Sequence, residues 1–171
     1  MKSALLLTTL LAALSCTSST STNEEAGIIG PVDWEKRKIQ LAAPDSLVQG
    51  SSYLSVYSEI YQRSELLTYH LTTTVSIRNI STTDSVFILH ADYYNTQGDR
   101  IRTYVNDPVY LRPLETIEIV IDESDQTGGT GANFIFEWAT RPRVHEPIFE
   151  AVMISTNGQQ GLSFTTRGVK R

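Results

Sequence analysis

Asp122 to Trp138 reads D-E-S-D-Q-T-G-G-T-G-A-N-F-I-F-E-W. In its second half Phe134, Phe136 and Trp138 recur at every other position. That is the period of a half-buried β-strand, because successive side chains of a strand point to opposite faces. Three aromatics on one side bury more apolar area than any other segment of the chain offers. The spacing therefore predicts a central strand over 133–139 with these three rings in the core. The glycine-rich loop before it becomes the main feature of one end of the domain.

Working outward, the same period of two recurs. Leu54, Val56 and Ile60 alternate with polar neighbours, as do Leu71, Thr73, Val75 and Ile77. Phe87, Leu89, Ala91 and Tyr93 are expected inward, which leaves Ile88, His90, Asp92 and Tyr94 outward. Asn95-Thr96-Gln97-Gly98 places glycine where a hairpin needs positive φ. A strand from Arg100 to Val105 breaks at Asn106-Asp107-Pro108, where proline removes a ladder donor. A change of sheet is expected there before the chain runs on through Leu111. Ile117, Ile119 and Ile121 mark the next strand. Ile148 to Ser155 is nearly all apolar, hence central, and Leu162 to Thr166 closes the domain. No helical period of ten residues or more follows the first fifteen residues. The pattern predicts an all-β fold, an immunoglobulin-like antiparallel β-sandwich of about eight strands, with a small barrel as the alternative.

Upstream, Met1-Lys2 precedes an apolar run from Ala4 to Leu14, too short to span a bilayer and suited to a signal peptide. It ends in Ala-Leu-Ser-Cys, which resembles a bacterial lipobox, with Ala13 where the motif usually has Leu. The resemblance implies cleavage before Cys16, the sole cysteine, and lipidation of its sulfur. The competing reading is an ordinary secretory leader with a chance cysteine. By the same resemblance Thr17, where inner-membrane lipoproteins tend to carry Asp, favours the outer membrane over the inner. Residues 17–27 are polar and low in complexity and read as a flexible tether. In 28–50, Trp34 and Ile39 have the character to fold back on the domain, but Pro31, Pro44 and Gly50 break any long element. The expected organisation is a signal peptide over 1–15, a lipidated cysteine, tether and irregular lead-in over 16–50, and the sandwich over 51–171.

Composition narrows the partners. The chain has 171 residues, 40% hydrophobic and 19% charged, with 14 basic and 19 acidic residues. Loss of Lys2 with the leader leaves 13 against 19, a net charge of −6. With no Lys/Arg cluster to offset this, nucleic acid is excluded as a natural partner, and an anionic membrane surface does not attract the domain.

Y-S-E-I-Y, S-I-R-N, D-Y-Y-N-T-Q-G, L-R-P-L-E-T, G-G-T-G-A-N-F and E-A-V-M-I-S-T-N-G-Q-Q-G-L-S-F together resemble an uncharacterised family of bacterial lipoproteins, catalogued as domain of unknown function 3124. The likeness covers roughly 50–168 in several ungapped runs. It implies a secreted or lipid-anchored single domain and brings no catalytic residue or cofactor.

Several residue groups carry candidate chemistry. Gly128-Gly129-Thr130-Gly131 invites a phosphate-loop reading, but no lysine follows and the loop leads into a strand rather than a helix. Asp122, Glu123 and Asp125 offer hard oxygens for Ca²⁺, without the alternating spacing of a calcium loop. His90, Asp92 and Glu137 are expected on one outward face and are weak metal candidates, because an open sheet face excludes no water. Arg141, Arg143 and His145 form a local basic cluster beside Trp138.

Alternation of strand direction predicts that loops 62–65, 95–99, 123–132 and 156–160 share one end. That would gather Asp99, Asp125, Gly128, Gly129, Gly131, Asn157, Gln159 and Gln160 into a candidate ligand end, with the Arg141–His145 loop opposite. The expected function is a non-enzymatic, membrane-tethered envelope lipoprotein. It would bind the lipid bilayer through acylated Cys16, and an envelope protein or glycan through the domain. The competing class is a metal-dependent enzyme or calcium-binding protein using His90, Asp92 and Glu137 or the acidic loop.

Overall fold

A computed structural model describes residues 32–41, 46–156 and 161–171. Cys16, the leader and the tether therefore lie outside the described residues, as do Asn157, Gln159 and Gln160. Among the described residues there are twelve strands: β1 (Val48–Ser55), β2 (Glu59–Gln62), β3 (Ser64–His70), β4 (Thr72–Arg78), β5 (Val86–Tyr94), β6 (Arg100–Val105), β7 (Val109–Leu111), β8 (Thr116–Ile121), β9 (Asn133–Thr140), β10 (Ile148–Ser155), β11 (Leu162–Arg167) and β12 (Val169–Lys170). All pairings are antiparallel. One sheet has the order β12-β1-β9-β5-β6, with β7 also on β5; the second is β11-β10-β4-β8. The two face each other as a sandwich, not as a closed barrel. A separate two-stranded hairpin, β2–β3, connects β1 to β4.

Central strand β9 lies between β1 and β5, and Phe134, Phe136 and Trp138 are fully buried. Their rings continue a stack. Tyr93 lies 4.8 Å from Phe134, Phe134 lies 5.3 Å from Phe136, and Phe136 lies 4.2 Å from Phe149 of the opposite sheet. Trp138 faces Gly50 across the ladder, where a Cβ would sit 2.3 Å from the indole. Glycine at 50 thus gives the indole its space, and the ring nitrogen donates to Ser52 Oγ at 3.0 Å.

Two strand readings need correction. In β5 the inward set is Val86, Ile88, Ala91 and Tyr93, not Phe87, Leu89, Ala91 and Tyr93: Ile88 is fully buried and Leu89 only half-buried. Ile88 pairs with Trp138 but His90 pairs with Glu137, so Leu89 and His90 together oppose one residue. This β-bulge swaps the parity of the strand, and both parities there are apolar, so alternation alone cannot place it. The second correction concerns Pro108. β6 and β7 both pair with β5, so the chain bends at the proline without changing sheets. The change comes later, through the turn between Leu111 and Thr116.

The lead-in packs on the domain. Val32 and Trp34 lie against the core, the Ile39 amide donates to the Pro108 carbonyl at 2.9 Å, and Lys38 forms a bridge with Val109. The bridge occupies the outer side of β7 and so covers an edge that would otherwise be unpaired.

Candidate functional site

The glycine loop begins with two self-capped turns. Asp122 accepts from the Ser124 amide (2.8 Å) and hydroxyl (2.6 Å), and Asp125 from the Thr127 amide (3.2 Å) and hydroxyl (2.5 Å). Such local bonds are what short acidic side chains offer a turn. The Ser124 bonds hold the Asp122 carboxyl below its ordinary range. Burial pushes the Asp125 carboxyl up, but the bonds from Thr127 and Arg102 outweigh it and the net direction is down. Arg102 reaches Asp125 at 2.9 Å and also donates to the Tyr104 hydroxyl at 2.7 Å.

The glycines then run through a 3-10 turn, Gly129–Gly131, stapled on both sides. The Thr96 hydroxyl donates to the Gly128 carbonyl at 3.0 Å and accepts from the Gly131 amide at 2.8 Å. On the other side the Ser58 amide donates to the Gly129 carbonyl and the Val56 amide to the Ala132 carbonyl. Gly129 takes φ +73°, open to glycine at little cost. Gly128 is buried where a Cβ would stand 1.9 Å from the Tyr93 hydroxyl. That hydroxyl bonds to Ser58 Oγ at 2.9 Å, and burial pushes the phenol pKa up. The amides of Thr127, Gly129 and Gly131 are thus spent on Asp125, Gln126 and Thr96. A phosphate cradle needs such amides free and convergent.

Of the loops expected at this end, 95–99 and 123–132 are hydrogen-bonded to each other. Asp99 lies in the first and closes its own turn: its amide donates to Asn95 Oδ1 at 2.8 Å, and Gly98 beside it has φ +86°. Loop 62–65 is placed differently. It is the exposed tip of the β2–β3 hairpin, and the hairpin's base meets the glycine loop, with His70 Nδ1 3.1 Å from Gln126 Nε2. Ser155 pairs with Leu162, and Ile154 with Thr72, so the flanks of 156–160 are at this end too. The Arg141–His145 loop leaves β9 at the opposite end, eight strand residues or roughly 25 Å away.

His90 and Glu137 are ladder partners on the outward face. Asp92 shares that outward face, but its carboxylate is engaged by the neighbouring strand. Its carboxylate accepts from Thr103 at 2.5 Å and lies 3.5 Å from Arg100, both on β6. His90 Nδ1 is buried without a partner, and no group of three or more His, Cys, Asp or Glu suited to a metal occurs among the described residues.

The end opposite the glycine loop holds a cluster that residue patterns did not single out. Glu115 Oε1 accepts from Arg37 at 2.9 Å and from Arg112 at 3.2 Å, and Oε2 accepts from the Arg112 amide at 2.7 Å. Burial pushes this carboxyl up, yet the three bonds prevail and bring its pKa down to about 2. Beside it, Asn79 Nδ2 donates to the carbonyls of Asp84, Leu111 and Arg112, and its Oδ1 accepts from the Ser81 amide. The motifs S-I-R-N and L-R-P-L-E-T meet here. Their signal was two separated polar motifs around β-strands; nothing local says that they touch.

Comparison with known proteins adds the family. The chain is similar to the crystal structure of Thermotoga maritima 1070, at 11% identity and a TM-score of 0.46 over 70% of this chain and 92% of that one. No curated protein matches it. A family model matches residues 49–170, from the start of β1 to β12. The sandwich is thus the shared unit, and the chain belongs to the family described as Protein of unknown function (DUF3124).

Proposed function

We propose that this chain is a lipid-anchored, non-enzymatic module of the cell envelope, on the outer rather than the inner membrane, which holds a protein or glycan at its glycine-loop end. One observation carries the reading. The chain joins the sandwich at Val32–Lys38, beside Val109 and Glu115, at the end of the domain away from the glycine loop. The loops around Asp99, Asp125, Gly128, Gly129 and Gly131 therefore lie at the end of the domain away from where the chain enters it. These loops are rigidly stapled, which suits a preorganised binding surface. Metal-dependent chemistry gains no comparable support, because Asp92 and Asp125 are both held by arginines. A diacylglycerol thioether plus an N-acyl chain gives two lipid signals, enough for stable anchoring. Mass spectrometry of the mature N-terminus should show acylated Cys16, and Cys16→Ser should leave the chain uncleaved or free of the membrane fraction. An unmodified Cys16 in the wild-type mature protein overturns the anchor.

A further inference from the structure

The β2–β3 hairpin stands out from the sandwich as a sheet of two strands. Such a pair is marginal in water unless something packs on it. Its base is footed on the core through Tyr57 and Ile60. Its outer part is not: Tyr61 is 61% exposed, Leu67 53% and Leu66 86%. A second uncovered apolar patch lies on the outer face of the β11-β10-β4-β8 sheet. Thr74 pairs with both Val120 and Val152, and Thr72 with Ile154, so these β-branched side chains share that face near the glycine-loop end. Val120 is 60% exposed, Val152 41% and Ile154 42%. The hairpin's last residue, His70, is two residues from Thr72, so the hairpin's base adjoins the strand at the centre of the stripe.

We propose that two copies of this chain pair by exchange, the hairpin of each lying across the Val120–Val152–Ile154 stripe of the other. This is a self-complementary, two-fold arrangement, in which the same two patches serve both partners and the assembly closes at two. The area fits. Covering both patches on both copies removes roughly 1,200 Å² of surface, the lower bound of a standard stable interface. The charges fit as well. The hairpin turn carries Arg63 and Glu65, and the row below the stripe runs Glu118, Ser76, Glu150 and Arg167; Glu150 is already held by Arg78, which leaves an acid at one edge and a base at the other. The pairing does not depend on the anchor at Cys16.

Two full-length variants, Leu66→Cys and Val152→Cys, test this when produced together in one envelope and treated with a mild oxidant. All the altered positions are exposed, so folding is not at risk. A disulfide-linked dimer should form in the mixture and be absent from either variant alone. No dimer, with both thiols open to a maleimide, overturns the proposal. So does a monomeric disulfide when Leu66→Cys and Val152→Cys are placed in one chain, which would mean that the hairpin folds onto its own stripe.

Discussion

The two ends of the sandwich are closed by different means. At the glycine-loop end the buried contact is neutral and steric: a phenol and a serine hydroxyl meet under Gly128, and Thr96 staples the loop from outside, with the ionic Asp125–Arg102 contact nearer the surface. At the lead-in end it is ionic and convergent: two arginines and an amide meet on the Glu115 carboxylate, and Asn79 serves four backbone groups. The first kind of closure tolerates no added atom, because its fit depends on an absent Cβ. The second tolerates shape change but depends on charge, and so on pH and salt. The same fold thus has one end limited chiefly by volume, under Gly128, and another whose closure rests chiefly on one ionised carboxylate, Glu115.

The sharpest way to break this contrast is Gly128→Ala. The new methyl would stand 1.9 Å from the Tyr93 hydroxyl, 2.7 Å from Ser58 Oγ and 2.8 Å from the Ala132 Cβ. Overpacking in a held backbone costs about 1–3 kcal/mol, and this site belongs at the upper end. Adding Tyr93→Phe removes the nearest atom, so the double variant should recover part of the loss in a thermal or urea midpoint. Strictly additive losses would show that Gly128 is not chosen for the hydroxyl beneath it.

That distinction was only partly legible in the residue pattern. The core face of β9 could be read because its aromatics alternate with Ile135 and Glu137, and only one parity can be buried. β5 could not, since Val86 to Leu89 are all apolar and a bulge, not composition, decides which side is in. The glycine loop announced itself as a turn, but its partner Thr96 is thirty-two residues from Gly128 and carries no local signal. Glu115 and Arg37 are seventy-eight residues apart and look like ordinary surface charges until the fold joins them. Local period reports what a strand does with itself; it is silent on which loops meet.

Acid should sharpen the comparison. The Glu115 carboxyl ionises with a pKa of about 2 in the folded chain against an ordinary 4.5. A depressed carboxylate stabilises the fold fully above its unfolded value and loses that contribution as pH falls through the folded one. Stability should therefore decline between about pH 4.5 and 2, with Asp122 and Asp125 adding in the same direction. Glu115→Gln should cost about 1–2 kcal/mol at neutral pH, from weakened charge-assisted bonds, and should flatten the acid limb. Urea midpoints of the two proteins that stay parallel from pH 6 to 3 would place the acid sensitivity elsewhere.

The smallest expected effect compares one ion pair from each end. Arg37 and Glu115 are 2.9 Å apart with side chains 23% and 11% exposed; Arg102 and Asp125 are also 2.9 Å apart but 43% and 18% exposed. Equal distance with unequal exposure makes solvent screening the main difference between the two contacts. Exposed pairs typically couple by about 0.2–1 kcal/mol, and Arg102–Asp125 belongs in that range. Arg37–Glu115 should couple more strongly, since less water reaches it and Glu115 is also shared with Arg112. Double-mutant cycles to Ala at each pair measure the coupling directly. Repeating them in about 1 M salt, where the screening length falls to about 3 Å, should erase most of the Arg102–Asp125 term and leave much of the other. Equal couplings with equal salt loss would mean that the lead-in is no more firmly pinned than a surface loop, and that the two ends differ in volume alone.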